Sequence, residues 1–387
     1  RTGLRRALGV AAPQTGGPSA PSAVDDAAIH DAQAQATART NEVRALLAEG
    51  DARSQDAART ALRARQAASR STQHAVELGA SATLGSTGVD ADEIARAYAA
   101  AAEAGTVADE AHARAVAERH AATVRTAYAD ATAAVDPTAG AVSELARRIS
   151  GVLAATVPGT LVTQSAALRG QLAAVGSEAR ALTDRLAALH ALHDTTEGEV
   201  AAAEPSATTL ESLGRQSRAI VEQLTEASSR LDARIARLGL TATVVADADR
   251  ANRALASIDA ARSGEAFGDY LRTTVAAVTT TDPAAAEALE NARQDTAALD
   301  DATAALDSGA TALTDVHNAL TALADDLVAG VGPAGAEQAA RAAALGAAAT
   351  RHAVDSRLAA DQGAARAASA YGHLTQATVL GLAALAE

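Results

Sequence analysis

Five leucines spaced seven residues apart, Leu299, Leu306, Leu313, Leu320 and Leu327, constrain this chain more than anything else in it. Ala302, Gly309, Val316, Leu323 and Gly330 follow each of them by three residues. A helix turns every 3.6 residues, so a strict repeat of seven keeps one apolar seam facing a partner helix in a left-handed supercoil. Small residues in the second seam position bring the axes close. A second series runs Leu161, Leu168, Val175, Leu182, Leu189, seconded by Leu172, Ala179 and Leu186. A third runs Leu210, Ser217, Leu224, Leu231, Leu238, flanked by Leu213, Ile220 and Ala227. Three such series predict an all-α fold: an elongated antiparallel coiled coil or helical bundle with long helices. No segment alternates with period two, so no strands are expected.

Composition narrows the packing further. The apolar fraction is 48%, but most of it is Ala, the strongest helix former. Leu, Ile, Val and Phe together fall below the ~20% of the chain that ordinary globular domains exceed. With one Phe, four Tyr and no Trp, a thick core is out of reach. Helices joined through narrow Ala/Leu seams remain.

Proline and glycine punctuate the helical stretches. Breaks are expected at Leu84–Asp90, Asp136–Gly140, Pro158–Thr160, Glu204–Ser206, Ser263–Asp269, Thr281–Pro283 and Gly330–Gly335. Asp282-Pro283 and Gly332-Pro333 put Pro where a first helical residue belongs. Residues 11–26, "AAPQTGGPSAPSAVDD", read as linker. Three regions follow: a disordered or linker-like arm over 1–38, a helical region over 39–140, and a coiled-coil hairpin region over 141–387 with a turn near 263–269. The opening "RTGLRRALGVAAPQ" has no initiator Met or full apolar signal core, and reads as the start of a trimmed piece.

Several chemistries need residues this chain does not have. All 33 basic residues are Arg, so neither a P-loop lysine nor a Schiff base is available. With no Cys there is no thiol nucleophile or thiolate metal site. The net charge of −14, with no Arg stripe rising above the surrounding acid, argues against nucleic acid. No apolar run approaches the ~18 residues of a membrane span.

The remaining constellations are thin. His190 and His193, followed by Asp194, sit one helical turn apart and could offer two ligands to one metal. In a chain with nine His such a pair is cheap, and polar residues near a helix end are the expectation. No metal or other cofactor is expected. Asp300-Asp301 and Asp325-Asp326 read as solvated faces, because adjacent helical positions diverge. No Ser lies in a G-x-S-x-G elbow. The chain is therefore not expected to be an enzyme.

The stretch "IDAARSGEAFGDY", Ile258 to Tyr270, stands out from this background. It follows a helix with apolar residues at Ile235, Leu238, Ala242 and Val245-Ala246. Ile258-Asp259-Ala260-Ala261-Arg262-Ser263-Gly264-Glu265 resembles the I-E-A-A-R-A-G-E of the cytoplasmic signalling tip of methyl-accepting chemotaxis receptors. Val245-Ala246 stands at the spacing of that family's I-A. Leu306-Asp307-Ser308-Gly309 is similar to a step in its return helix, and Asp361-Gln362 and Leu382–Glu387 to motifs near its adaptation region. The resemblance covers about 141–387. It implies a tight reversal over Ser263–Asp269 flanked by antiparallel helices, with Val245 opposite Leu289. Ile258, Asp259, Arg262, Gly264, Glu265 and Tyr270 would form the turn and interaction tip. The family's kinase-contacting Q-T-N-L-L-A-L-N is replaced here by Ala248–Leu255, so the implied tip is degenerate.

The expected function is that of a non-enzymatic coiled-coil interaction or scaffold protein. It would act through protein partners or self-association, with Leu299, Leu306, Leu313, Leu320 and Leu327 as the oligomer seam. A chemoreceptor-like signalling hairpin is the alternative. A helical cell-envelope or secreted protein is the second: the L-x-x-G steps at 306–309 and 327–330 resemble helical repeats of bacterial envelope proteins of the YhgE/Pip kind. A cytoplasmic location is favoured, with a membrane tether in an adjoining segment left open.

Overall fold

The computed structural model describes residues 26–83, 90–202, 204–262, 265–330 and 333–386. The described residues are all-α, with six long helices packed antiparallel and no strands. The long helices are α1 (Asp26–Thr83), α2 (Ala91–Ala155), α3 (Val162–Val200), α4 (Ala207–Arg262), α6 (Pro283–Ala329) and α7 (Ala336–Ala386). A short helix, α5 (Glu265–Ala277), lies between α4 and α6. None of the helices among the described residues is long and apolar enough to cross a membrane.

The helix starts follow local chemistry. Asp282 caps α6, its Oδ1 accepting from the Ala285 amide at 2.7 Å, with Pro283 in the first turn. Ser206 caps α4 through the Thr209 amide, so Pro205 falls in a connection and not inside a helix. Gln338 reaches back to the Gly335 amide at the start of α7. Gly159 (φ 89°) and Leu161 (φ 49°) close the α2–α3 connection, so the first leucine of the second heptad series lies just outside its helix.

One expected break is absent. Asp136–Gly140 lies inside α2, which runs through Pro137 without interruption. Proline removes the helical donor to the Ala133 carbonyl and crowds the preceding turn. Two buried hydroxyls converge on the next carbonyl. Ser228 Oγ donates to the Ala134 carbonyl at 2.8 Å, and Thr138 Oγ1 reaches the same oxygen at 3.2 Å. The two hydroxyls lie 2.6 Å apart.

The chain divides into two compact units, one of Arg1–Glu144 with Ala174–Asp232, the other of Leu145–Ala173 with Ala233–Glu387. The single boundary expected at 140/141 therefore does not describe it, since α2, α3 and α4 each contribute to both units. Of the expected arm over 1–38, residues 26–38 are helical, as the first turns of α1, and 1–25 lie outside the described residues.

In the first unit α1 runs antiparallel to α2, with Arg39 meeting Asp136 and Gly79 meeting Tyr98. Ala117 and Ala121 of α2 pack with Val200, Leu210 and Leu213 where α3 returns into α4. In the second unit α4 runs antiparallel to α6: His317 Nδ1 lies 3.0 Å from the Ala248 carbonyl, and Arg262 pairs with Asp307. Helix α7 is antiparallel to α6 in turn, with Gly309 beside Ser356 and Arg366 bound to Asp295. A side chain at Gly309 would collide with Ser356, which is why a glycine holds that seam position.

The heptad leucines are the core of these seams. Leu168, Leu189, Leu210, Leu224, Leu313, Leu320 and Leu327 are all fully buried. For Leu313, Leu320 and Leu327 this corrects the oligomer-seam expectation, since the chain's own helices cover these side chains. Leu299 and Leu306 are buried too, but line a groove.

Candidate functional site

The stretch from Ile258 to Tyr270 builds a groove, not a turn. Helix α4 runs to Arg262, and α5 resumes at Glu265, so Phe267, Gly268 and Asp269 are helical. Ser263 and Gly264 lie outside the described residues. The reversal comes later, at Val278–Asp282, because Thr280, Asp282 and Pro283 supply the stop and restart signals there. Helix α5 then packs antiparallel to α6, with Leu271 and Val275 against Leu289 and Ala292, and Arg272 paired to Asp300. The expected opposition of Val245 and Leu289 is corrected with it: Leu289 packs with Leu271, Val275 and Leu374.

The groove has a volume of about 380 Å³ and draws on α4, α5, α6 and α7. Its floor is Ala302, Ala360, Gly363, Ala364 and Ala367, with Leu299 and Leu306 on one wall. Composition explains the space. Where a heptad seam would normally meet leucines from the facing helix, α7 offers only alanine and glycine, so the layer is left unfilled.

Aromatic rings gather at its edge. Phe267, the only Phe of the chain, lies 6.2 Å from the Tyr270 ring and 5.9 Å from the Tyr371 ring. These three are 45%, 54% and 51% exposed. Arg262 and Arg272 line the groove, but Asp307, and Asp269 with Asp300, already hold their charges. Of the six residues expected at a tip, Arg262 lines this groove, Tyr270 flanks it, Ile258 is buried and Asp259 points outward. Gly264 lies outside the described residues, as does the Glu265 side chain. Asp249, where the chemoreceptor-like pattern is lost, holds the α2–α3 connection by accepting from the Val157 amide at 3.0 Å.

A second polar constellation lies in the first unit, and residue types alone did not signal it. Arg125 of α2, its side chain 2% exposed, donates to Glu197 Oε1 of α3 at 2.6 Å and to Glu118 at 3.2 Å. Arg53 of α1 binds the other Glu197 oxygen at 3.0 Å. Gly50 makes room for this, since a side chain there would sit 2.5 Å from Arg125 Cδ. Burial alone would raise the Glu197 pKa, but the hydrogen bond and charge of Arg125, with Arg53 and His193, hold it below the usual carboxylate value. Burial would lower the Arg125 pKa, yet Glu197 and Glu118 more than offset it and push it up. Burial raises the Tyr128 hydroxyl. Asp136 is also raised by burial, which Arg39 only partly offsets.

The chain is without a match among protein-family models, curated proteins and solved structures.

Proposed function

We propose that the chain is a non-enzymatic interaction or scaffold protein that docks an apolar protein segment at the groove between α5, α6 and α7. The observation that carries this is the clustering of Phe267, Tyr270 and Tyr371, half-exposed, beside a groove floored with alanine and glycine. Exposed aromatic side chains on a polar, alanine-rich surface mark a contact surface more than a stability device. The small-residue floor admits the apolar side chains of a partner helix closely. The neutralised arginines at the rim favour an uncharged docking face over an anionic one.

The chemoreceptor-like alternative needs the Ile258–Tyr270 stretch at a hairpin tip, and the end of α4 and the start of α5 run alongside α6 instead. The L-x-x-G step at 306–309, which suggested an envelope protein, has a packing reason in the Gly309–Ser356 approach.

Photo-crosslinking tests the proposal. A photoreactive residue at 270 should give adducts on one defined segment, of this chain or another, mapped by mass spectrometry. Gly363→Leu, which fills the groove, should remove those adducts while helicity is unchanged. Adducts indifferent to Gly363→Leu would contradict the proposal.

A further inference from the structure

His193 is a core residue, only 5% exposed, and seven residues from the end of α3. The expectation of polar side chains at a helix end is therefore corrected for it. Its ring sits in a fixed stack: Tyr128 lies 5.6 Å from His193 and 5.2 Å from His190, and the two imidazoles are within 9° of parallel. His193 Nδ1 is buried without a hydrogen-bond partner. It lies 3.5 Å from Asp194 Oδ1, while His190 Nε2 lies 3.7 Å from Asp194 Oδ2. One nitrogen of each imidazole and one Asp194 oxygen fall within 4.8 Å of one another.

The charges around this ring favour a cation. Glu197 Oε1 faces His193 Nε2 at 3.7 Å and Asp194 Oδ1 faces Nδ1 at 3.5 Å, so the buried imidazole stands between two carboxylates. Its Nδ1 is buried beside Asp194 with no hydrogen bond to satisfy it. A carboxylate behind a histidine, fixing its tautomer, is the usual support of a metal-binding imidazole. Glu197 is itself fixed by Arg125 and Arg53. Arg53 and Arg125 pair with Glu49, Glu118 and Glu197, so no arginine of this cluster is left over for Asp194. Donors around one tetrahedral ion at 2.0–2.1 Å bond lengths sit about 3.3 Å apart. The imidazoles meet different oxygens of Asp194, at 3.5 and 3.7 Å, so one ion requires the exposed His190 and Asp194 side chains to turn toward it.

We infer that His190, His193 and Asp194 form a binding site for one divalent transition-metal ion. Two imidazoles and one carboxylate suit Zn²⁺, Co²⁺, Ni²⁺ or Cu²⁺, whereas Ca²⁺ and Mg²⁺ take oxygen ligands almost throughout. His190 and Asp194 stand on the solvent side, so water completes the coordination.

The test titrates the full chain, made without a polyhistidine tag, with CoCl₂ followed by visible absorption and with ZnCl₂ followed by calorimetry. One saturable site per chain is expected, with Zn²⁺ displacing Co²⁺ and neither Mg²⁺ nor Ca²⁺ competing. His190→Ala and Asp194→Ala, both at exposed side chains that leave the fold intact, should abolish the saturable phase. Glu197→Gln should weaken it by about tenfold or more. His112→Ala, at an exposed position of α2, should leave it unchanged. The absence of a saturable phase in the parent chain, or its survival in His190→Ala and Asp194→Ala, would overturn the site.

Discussion

Arg125 Nε donates a 2.6 Å hydrogen bond to Glu197 Oε1, from one helix of the α2–α3 hairpin to the other. Removing one member of a buried ion pair leaves the other charged and desolvated, which costs about 3–5 kcal/mol. Glu197→Gln should therefore lower stability by about 3 kcal/mol at pH 7 in chemical denaturation. The sign with pH follows from the depressed Glu197 pKa: its contribution is complete above the unfolded value of 4.5 and is lost as pH falls through the lower folded value. The deficit of the variant should shrink below pH 4.5.

Asp136 predicts the opposite. Its pKa is raised above 3.8, mainly by burial, and its Oδ2 has no hydrogen-bond partner despite the 2.9 Å contact of Oδ1 with Arg39. A carboxyl with a raised folded pKa favours the folded state least when ionised, so its contribution declines as pH rises from 3.8 through the folded value. Asp136→Asn should match or exceed the parent melting temperature at pH 7. A loss as large as that of Glu197→Gln would contradict the reading of both pairs.

These two carboxylates show what was legible in the sequence. The period of seven located the seams, and every leucine from Leu299 to Leu327 is buried as that period requires. The same period, continued from Leu172, Ala179 and Leu186, reaches His193 and then Val200, so the burial of His193 follows from register where its residue type alone suggests a helix end. The partners Arg53 and Arg125 were not legible, since nothing in the sequence of α3 says which helices face it. The reversal differs for a related reason: Gly264 and Gly268 resemble a turn, but Thr280, Asp282 and Pro283 hold the capping chemistry.

Pro137 gives a coupled prediction. Ser228→Ala removes the 2.8 Å bond to the Ala134 carbonyl and should cost about 1–2 kcal/mol. In a Pro137→Ala background the ring no longer crowds the turn that holds the Ala134 carbonyl and its helical donor, the Thr138 amide, so the same change should cost distinctly less. A double-mutant cycle by denaturant titration checks this, and additivity of the two changes would rule out the compensation.

The seam is graded along α6. Leu313 and Leu320 are enclosed, so Leu→Ala at either should cost about 3–4 kcal/mol, whereas Thr314→Ala, at an exposed position, should cost little. Leu299→Ala opens onto the existing groove, and should cost less than Leu320→Ala. Equal losses at 299 and 320 would mean that the groove is filled in solution.

The groove exists only if the chain runs on through Phe267 and reverses at Val278–Asp282. Paired cysteines in this cysteine-free chain test that most directly. A Cβ at Gly363 would lie 3.6 Å from Ala302 Cβ, within disulfide reach, and one at Gly268 would touch the end of the Leu299 side chain, 3.3 Å from Cδ2. The Gly268→Cys/Leu299→Cys and Gly363→Cys/Ala302→Cys variants should each form an intramolecular disulfide under mild oxidation. Val245→Cys/Leu289→Cys should not, because the meeting of Ala248 with His317 sets Val245 about 45 Å further along α6 from Leu289. Ready oxidation of the Val245/Leu289 pair, with the 268/299 pair remaining reduced, would contradict this hairpin and the groove built on it.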